Sequence, residues 1–219
     1  MPQALILGAS RGLGLGLARE LVARKWTVTG TVRKEEDRAA LEEGRAKSAL
    51  ADITDSASLI ALKAGLTDRL DLLFVNGGIS EPDDFDAIDE AGIGHLFLTN
   101  AVAPVRAALT LLDMMQPDGM IAFMSSRMGS VSLTAADNKA MYRASKAALN
   151  SLTRAMMPRF GLERPVLSFH PGWVATDMGG EHADLDVATS VKGIADVIAE
   201  RRSKAGSAFL DYSGAALGW

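Results

Sequence analysis

The chain has 219 residues, 48% of them hydrophobic, enough for one domain with a sizeable core. Its net charge of −4 excludes the broad basic face of a nucleic-acid binder, and no basic run is long enough for an anionic membrane surface. With no cysteine, disulfides, zinc–thiolate centres and thiol nucleophiles are excluded, and the expectation is a cytoplasmic protein with neither signal peptide nor membrane span.

Short apolar runs alternate with helical patterns along the chain. Ala4–Leu7 reads as a buried strand and Leu13–Arg24 as a helix. Trp26–Val32 is β-rich, Glu35–Glu43 helical, Ser48–Leu50 a short strand and Ser56–Leu66 helical. Leu70–Val75 is an unbroken apolar run. Ala91–Met115 predicts one long helix kinked at Pro104, followed by a strand over Met120–Met124. Lys139–Met157 predicts a helix, Val166–Phe169 a strand, Val187–Arg201 a helix and Ser207–Leu210 a last strand. The strands are apolar without alternation, as strands covered on both faces must be. The expected fold is therefore α/β, a single Rossmann-type doubly wound parallel sheet of about seven strands flanked by helices. The least regular stretches, Ile79–Asp89, Arg127–Asn138 and Gly172–Asp186, each follow the C-terminal end of a strand, where open α/β sheets bind ligands.

Three features of the sequence bear on chemistry. Gly8-Ala9-Ser10-Arg11-Gly12-Leu13-Gly14 lies between the first strand and first helix, where glycines admit a pyrophosphate to the N–H groups of the helix start. Its GxxxGxG spacing differs from the general dinucleotide fingerprint, and a purely structural turn is the alternative. At the end of the second strand, where a carboxylate would hold a ribose 2′-hydroxyl, stand Arg33 and Lys34. A guanidinium suits a 2′-phosphate, and Arg11 is within reach of the same group, so NADP(H) is expected over NAD(H). Solvated loop charge is the plainer reading of the two basic residues. Tyr142 and Lys146 lie four apart on one helix face, where an ammonium favours the phenolate and makes the phenol a proton donor and acceptor near neutrality.

Taken in order, Gly8–Gly14, Asp52, Asn76-Gly77-Gly78, Asn100, Ser126, Tyr142-x-x-x-Lys146 and Pro171-Gly172 resemble the short-chain dehydrogenase/reductase family over nearly the whole chain. SSRMGS at Ser125–Ser130, YRASKAALN at Tyr142–Asn150, HPGWVATDMGG at His170–Gly180 and the ending in Trp219 are most similar to sniffer-type and C-factor-like carbonyl reductases. The resemblance implies that Tyr142 exchanges a proton with a carbonyl or alcohol oxygen while NADP(H) exchanges a hydride. It implies that Lys146 lowers the Tyr142 pKa and holds the nicotinamide ribose, that Ser126 polarises the carbonyl, and that Asn100 holds a water linking Lys146 to solvent. Asp52 and Ile53 would contact adenine, Asn76, Gly77 and Gly78 the adenosine side, and Pro171, Gly172, Val174 and Thr176 the nicotinamide and diphosphate. Each has a plainer alternative: Ser126 a turn cap, Asn100 a satisfied buried amide, Asp52 a helix cap.

Three departures stand out. Leu7 replaces the family's frequent Thr and removes one loop hydrogen bond. Val75 and Gly77 alter the Asn-Asn-Ala-Gly motif and predict a looser strand end. Ser126 and Tyr142 are sixteen positions apart, more than in many relatives, which lengthens the loop between them. Trp173, Met128 and Met178 are candidates for an apolar pocket for a small-molecule carbonyl or alcohol substrate, while His95, His170 and His182 lack metal-ligand spacing. The helices at Ala91–Met115 and Lys139–Met157 match those that pair across the axis of a homodimer in relatives, with Leu149, Leu152 and Met156 fitting either interface or core. A nucleotide-binding signalling protein on the same fold is the competing function.

Overall fold

A computed structural model describes residues 1–80, 85–86, 88–134, 138–161 and 163–219. Parts of two expected loops, 81–84 with 87 and 135–137, lie outside the described residues.

Seven strands form one all-parallel sheet: β1 Gln3–Leu7, β2 Thr27–Val32, β3 Lys47–Leu50, β4 Leu70–Val75, β5 Met115–Met124, β6 Pro165–His170 and β7 Gly206–Asp211. Their order is β3-β2-β1-β4-β5-β6-β7, so the winding reverses between β1 and β4. The helices are α1 Gly12–Ala23, α2 Arg38–Glu43, α3 Ser56–Gly65, α4 Glu90–Phe97, α5 Ala103–Thr110, α6 Ala140–Ala155, α7 Met157–Phe160 and α8 Val187–Arg201. Among the described residues no helix is long and apolar enough to cross a membrane.

The apolar runs are unbroken because the pleat feeds two cores. Ala4, Ile6, Leu72, Phe74, Met120, Ala122 and Phe169 point to one, under α1 and α8. Leu5, Leu7, Leu73, Val75, Ile121, Phe123 and Val166 point to the other, with residues of α3, α5 and α6. Successive side chains alternate faces, and both faces are dry.

The long helix expected over Ala91–Met115 is corrected. α4 gives way to a π turn over Leu98–Val102, α5 ends at Thr110, and a 3₁₀ turn over Leu112–Met114 leads into a strand beginning at Met115. Pro104 has no N–H to give the Asn100 carbonyl four residues earlier, and the helical ladder widens at that point. β5 accordingly starts before Met120. Its pairing with β4 shifts between Leu70↔Met115 and Leu72↔Met120, so residues 116–119 bulge from the strand. Arg164 fastens the bulge by donating to the carbonyls of Gln116 and Gly119, at 3.2 and 2.8 Å. The expected looseness at the end of β4 is absent as well: Val75 pairs with Leu7 on one side and Phe123 on the other.

Candidate active site

The reversal of winding places the loops after β1 and β4 side by side. Gly8 takes φ +86°, a conformation that disfavours any side chain, and its N–H donates to Thr31 Oγ1 at 3.0 Å. Thr31, on β2, thus replaces the bond expected from the residue before the glycine. Asn76 locks the two loops by donating from Nδ2 to the Gly8 carbonyl at 2.9 Å. Gly14 lies beneath this turn, where a Cβ would collide with the Gly8 carbonyl. The first turn of α1 contains no acidic residue, and no side chain caps it among the described residues. Its N–H groups and the positive end of its dipole therefore face the cleft.

That cleft has a volume of about 510 Å³. Of the expected residues, Gly8, Ser10, Arg11, Gly12, Leu13, Arg33, Asp52, Ile53, Asn76, Gly77, Gly78, Tyr142, Lys146 and Thr176 line it. Gly14, Asn100, Ser126, Pro171, Gly172 and Val174 are not among its lining residues. Thr31, His95, Thr99 and Asp177 line the cleft unforeseen. His95, on α4, and Thr99, in the π turn that follows and also holds Asn100, are four apart, and that spacing was the available signal.

At one end of the cleft Arg33 makes no hydrogen bond or ion pair among the described residues, whereas Lys34 turns away to Glu36 at 3.3 Å. Asp52 Oδ1 accepts from Thr54 N and Oγ1, at 2.8 and 2.7 Å, so it also serves as a turn former. Burial pushes its carboxyl upward, but the Thr54 bonds, with Arg33 and His95, outweigh that and hold it below the usual range. Gly77 has a local reason: a Cβ there would stand 2.8 Å from Ile53 Cδ1. Arg11 does not extend toward Arg33. It pairs with Asp177, across from the glycine loop, and both side chains are 74% exposed. An exposed pair is worth only ~0–1 kcal/mol, so a phosphate can compete for Arg11.

At the other end, Tyr142 and Lys146 descend into the sheet edge on α6. Lys146 Nζ donates to the Met124 carbonyl at 3.0 Å and lies 5.9 Å from the centre of the Tyr142 ring. Burial lowers the lysine pKa to about 8. Asn100 is fully buried. Its Nδ2 donates to the Ile79 carbonyl and to Ser145 Oγ, and its Oδ1 accepts from Ile79 N, at 2.7, 3.0 and 2.8 Å. The amide is satisfied, yet Oδ1 keeps one lone pair. A Cβ on Gly78 would stand 3.1 Å from Lys146 Nζ and 3.3 Å from Asn100 Oδ1, so both groups face one small polar space.

Ser126 closes the set at the end of β5. It caps a 3₁₀ turn over Arg127–Gly129, accepting from Met128 N at 3.2 Å, and its own proton has no acceptor among the described residues. Ser125 is excluded from the polarising role because its hydroxyl donates to buried Asn150 Oδ1 at 2.8 Å. Gly129 lets the turn seat on α6: a Cβ there would come within 2.7 Å of the Lys146 backbone.

The loop after β6 completes the rim. Gly172 takes φ +86°, and Ser190 Oγ donates to the Pro171 carbonyl at 2.7 Å. Val174 is buried and bridges to Leu185, while Thr176 Oγ1 accepts from Gly179 N at 3.1 Å. Trp173 and Met178 are exposed here, and Phe85, Val131 and Leu133, which sequence reasoning missed, are exposed on the two neighbouring loops. Burial and the Arg127 charge lower the His170 pKa to about 4, against a smaller opposing effect of Asp211, so this histidine is neutral at physiological pH. No cluster that could hold a metal ion occurs among the described residues.

The class these features define is matched by comparison. The model of the short chain dehydrogenase family covers residues 2–185, and the chain belongs to that family. A carbonyl reductase from Pseudomonas aeruginosa PAO1 in complex with NADP superimposes with a TM-score of 0.92 at 37% identity, over 100% of both chains. The carbonyl reductase Sniffer of Drosophila melanogaster gives a TM-score of 0.87 at 31% identity, again over 100% of both chains. C-signal of Myxococcus xanthus is 34% identical over 157 residues, 70% of this chain and 95% of that protein.

Buried Lys146 carries a linkage prediction. Its folded pKa is about 8 against 10.5 unfolded, so the unfolded chain binds more protons between those values and stability rises with pH across that window. Holding the ammonium costs roughly 3 kcal/mol below pH 8. Lys146→Met removes that cost but orphans the Met124 carbonyl, worth about 1–3 kcal/mol. Urea unfolding is expected to show the variant at least as stable as wild type at pH 7, and to lose about 3 kcal/mol relative to it by pH 10.5.

Proposed function

We propose that this protein is an NADP(H)-dependent carbonyl reductase, moving a hydride between NADP(H) and a hydrophobic ketone or aldehyde, or the corresponding alcohol. The observation that carries the reading is the two-ended cleft. An exposed guanidinium, Arg33, lines one end, and a buried ammonium under a phenol, Lys146 below Tyr142, lines the other.

The residues fit the dinucleotide. Gly8, Ser10, Gly12, Leu13 and the first turn of α1 would take its diphosphate, with Gly14 allowing the turn. Arg33 would take the 2′-phosphate, Asp52 and Ile53 the adenine, and Asn76, Gly77 and Gly78 the adenosine side. Pro171, Gly172, Val174 and Thr176 would meet the nicotinamide end, with Arg11 free to trade Asp177 for a phosphate. Bound there, the nicotinamide supplies or accepts the hydride. Ser126 donates its unused proton to the substrate oxygen and polarises the carbonyl. Tyr142 transfers its phenolic proton to that oxygen, or takes it back in the reverse direction. Lys146 favours the phenolate by its charge and would hold the nicotinamide ribose hydroxyls. The polar space that Lys146 shares with Asn100 Oδ1 suits a proton-relay water. Phe85, Val131, Leu133, Trp173 and Met178 support an apolar substrate.

A cytoplasmic homodimer remains our reading of the assembly, although Leu149 is wholly buried and Leu152 and Met156 pack on the same core, so these three do not argue for it. Light scattering at micromolar concentration is expected to give twice the 23.1 kDa chain mass, and a monomer refutes it.

Two kinetic outcomes follow from the cleft. Tyr142→Phe should abolish carbonyl-dependent NADPH oxidation while NADPH still binds, as read by fluorescence titration; near-full activity removes the mechanism. Arg33→Ala should lower kcat/KM for NADPH by about ten- to a hundred-fold and leave that for NADH nearly unchanged. A wild-type preference for NADH would overturn the cofactor assignment.

A further inference from the structure

The segment after β7 folds back and meets the loop that carries Ser126. Asp211 N donates to the Ala215 carbonyl at 2.9 Å and Leu217 N to that of Phe209 at 2.8 Å, so the chain reverses tightly and Ala216 bridges antiparallel to Leu210. This return lays the Trp219 ring against Phe209, with centroids 5.4 Å apart, and places the Arg154 guanidinium of α6 5.1 Å from the indole centre. Phe209 is buried in β7, so Trp219 ties that strand to α6, the helix of Tyr142 and Lys146.

The backbone of the same residue reaches the stretch that follows Ser126. Ser132 N donates to the Trp219 carbonyl at 3.3 Å, and a side chain at Gly218 would collide with Ser132 Oγ. Ser132 is six residues beyond Ser126, in a stretch that is fastened step by step. Gly129 N donates to the Ser126 carbonyl at 2.8 Å, Asn150 Nδ2 to the Gly129 carbonyl at 3.1 Å, and Leu133 N to Ser130 Oγ at 3.2 Å. Val131 and Leu133, both exposed, flank Ser132.

We propose that Trp219 is a positioning residue for the substrate: by anchoring Ser132 it holds Val131 and Leu133 as a fixed part of the apolar wall beside Ser126. The assignment rests on the carbonyl reductase reading above. Trp219 lies outside both cores, and melting temperature separates the positioning role from general stability. It is separable from cofactor binding, because the cleft is lined by no residue of 127–134 or 206–219. An aromatic ring at this position has two partners to stack on, one aromatic and one cationic, and an alanine has neither.

The test compares full-length wild type, Trp219→Ala and Trp219→Phe, with 4-nitrobenzaldehyde as the probe substrate. In Trp219→Ala the aldehyde KM should rise about ten-fold, with kcat and the NADPH KM nearly unchanged, and Trp219→Phe should recover most of the loss. Amide hydrogen exchange in the NADP-loaded protein should accelerate over residues 130–134 in Trp219→Ala and return toward wild type in Trp219→Phe. Unchanged exchange and unchanged aldehyde KM in Trp219→Ala overturn the proposal. A parallel loss of melting temperature and NADPH affinity also overturns it, by showing a merely structural role. Wild-type protein that reduces no aldehyde or ketone removes the functional reading instead; the anchoring of the loop is then decided by exchange, which needs no turnover.

Discussion

One ammonium group organises this molecule. Among the described residues Lys146 is buried without a carboxylate partner, and the hydrogen bond that holds it there goes to the carbonyl of Met124, at the end of β5. A charge in that position must be approached by dipoles rather than ions, and the surrounding chain does so. The π turn before Pro104 presents Asn100, whose amide bonds the loop after β4 to Ser145 on α6. The turn after β5 sits directly on the lysine backbone through Gly129. Each of these elements costs regularity in a helix or strand, and each converges on the same few ångströms.

The cleft has an electrostatic direction. Its outer end offers exposed, replaceable charge: Arg33, with no hydrogen bond or ion pair among the described residues, and Arg11 in a surface pair with Asp177. The middle offers the backbone N–H groups of the glycine loop and the positive end of the α1 dipole. The inner end offers a buried cation beneath a phenol. A ligand negatively charged at one end and along its middle, with a nearly neutral ring at the other, matches that gradient. The same arrangement explains why Asp52 can stay ionised close to the cleft, since Thr54, Arg33 and His95 all favour its charged form.

Strands β1, β4 and β6 and the end of β5 were legible because burial on both faces leaves an uninterrupted apolar signal, and the glycine loop was legible because glycine marks backbone that must turn tightly. The helix after β4 was misread for a related reason. The apolar pattern runs on through Met115, and nothing in it marks where Pro104 widens the ladder or where Leu111 leaves helical geometry. Ser126 and Asn100 could be placed only by resemblance, because in composition they look like the turn cap and buried amide that they also are. Trp219 and Ser132 lie at opposite ends of a long-range contact, and no local periodicity reports such a pair. Thr31 was missed likewise, because its value lies in reaching Gly8 from the neighbouring strand.

The seat of Gly129 on α6 has a consequence for how this site can change over time. The separation of Ser126 from Lys146 is set by backbone packing against a helix, immediately after the strand. It does not depend on how many residues the chain spends before re-entering α6. Added chain length downstream of Gly129 therefore need not displace Ser126 from Lys146. The interval of sixteen positions between Ser126 and Tyr142 lies mostly in that stretch, so its length leaves the Ser126 turn seated on α6.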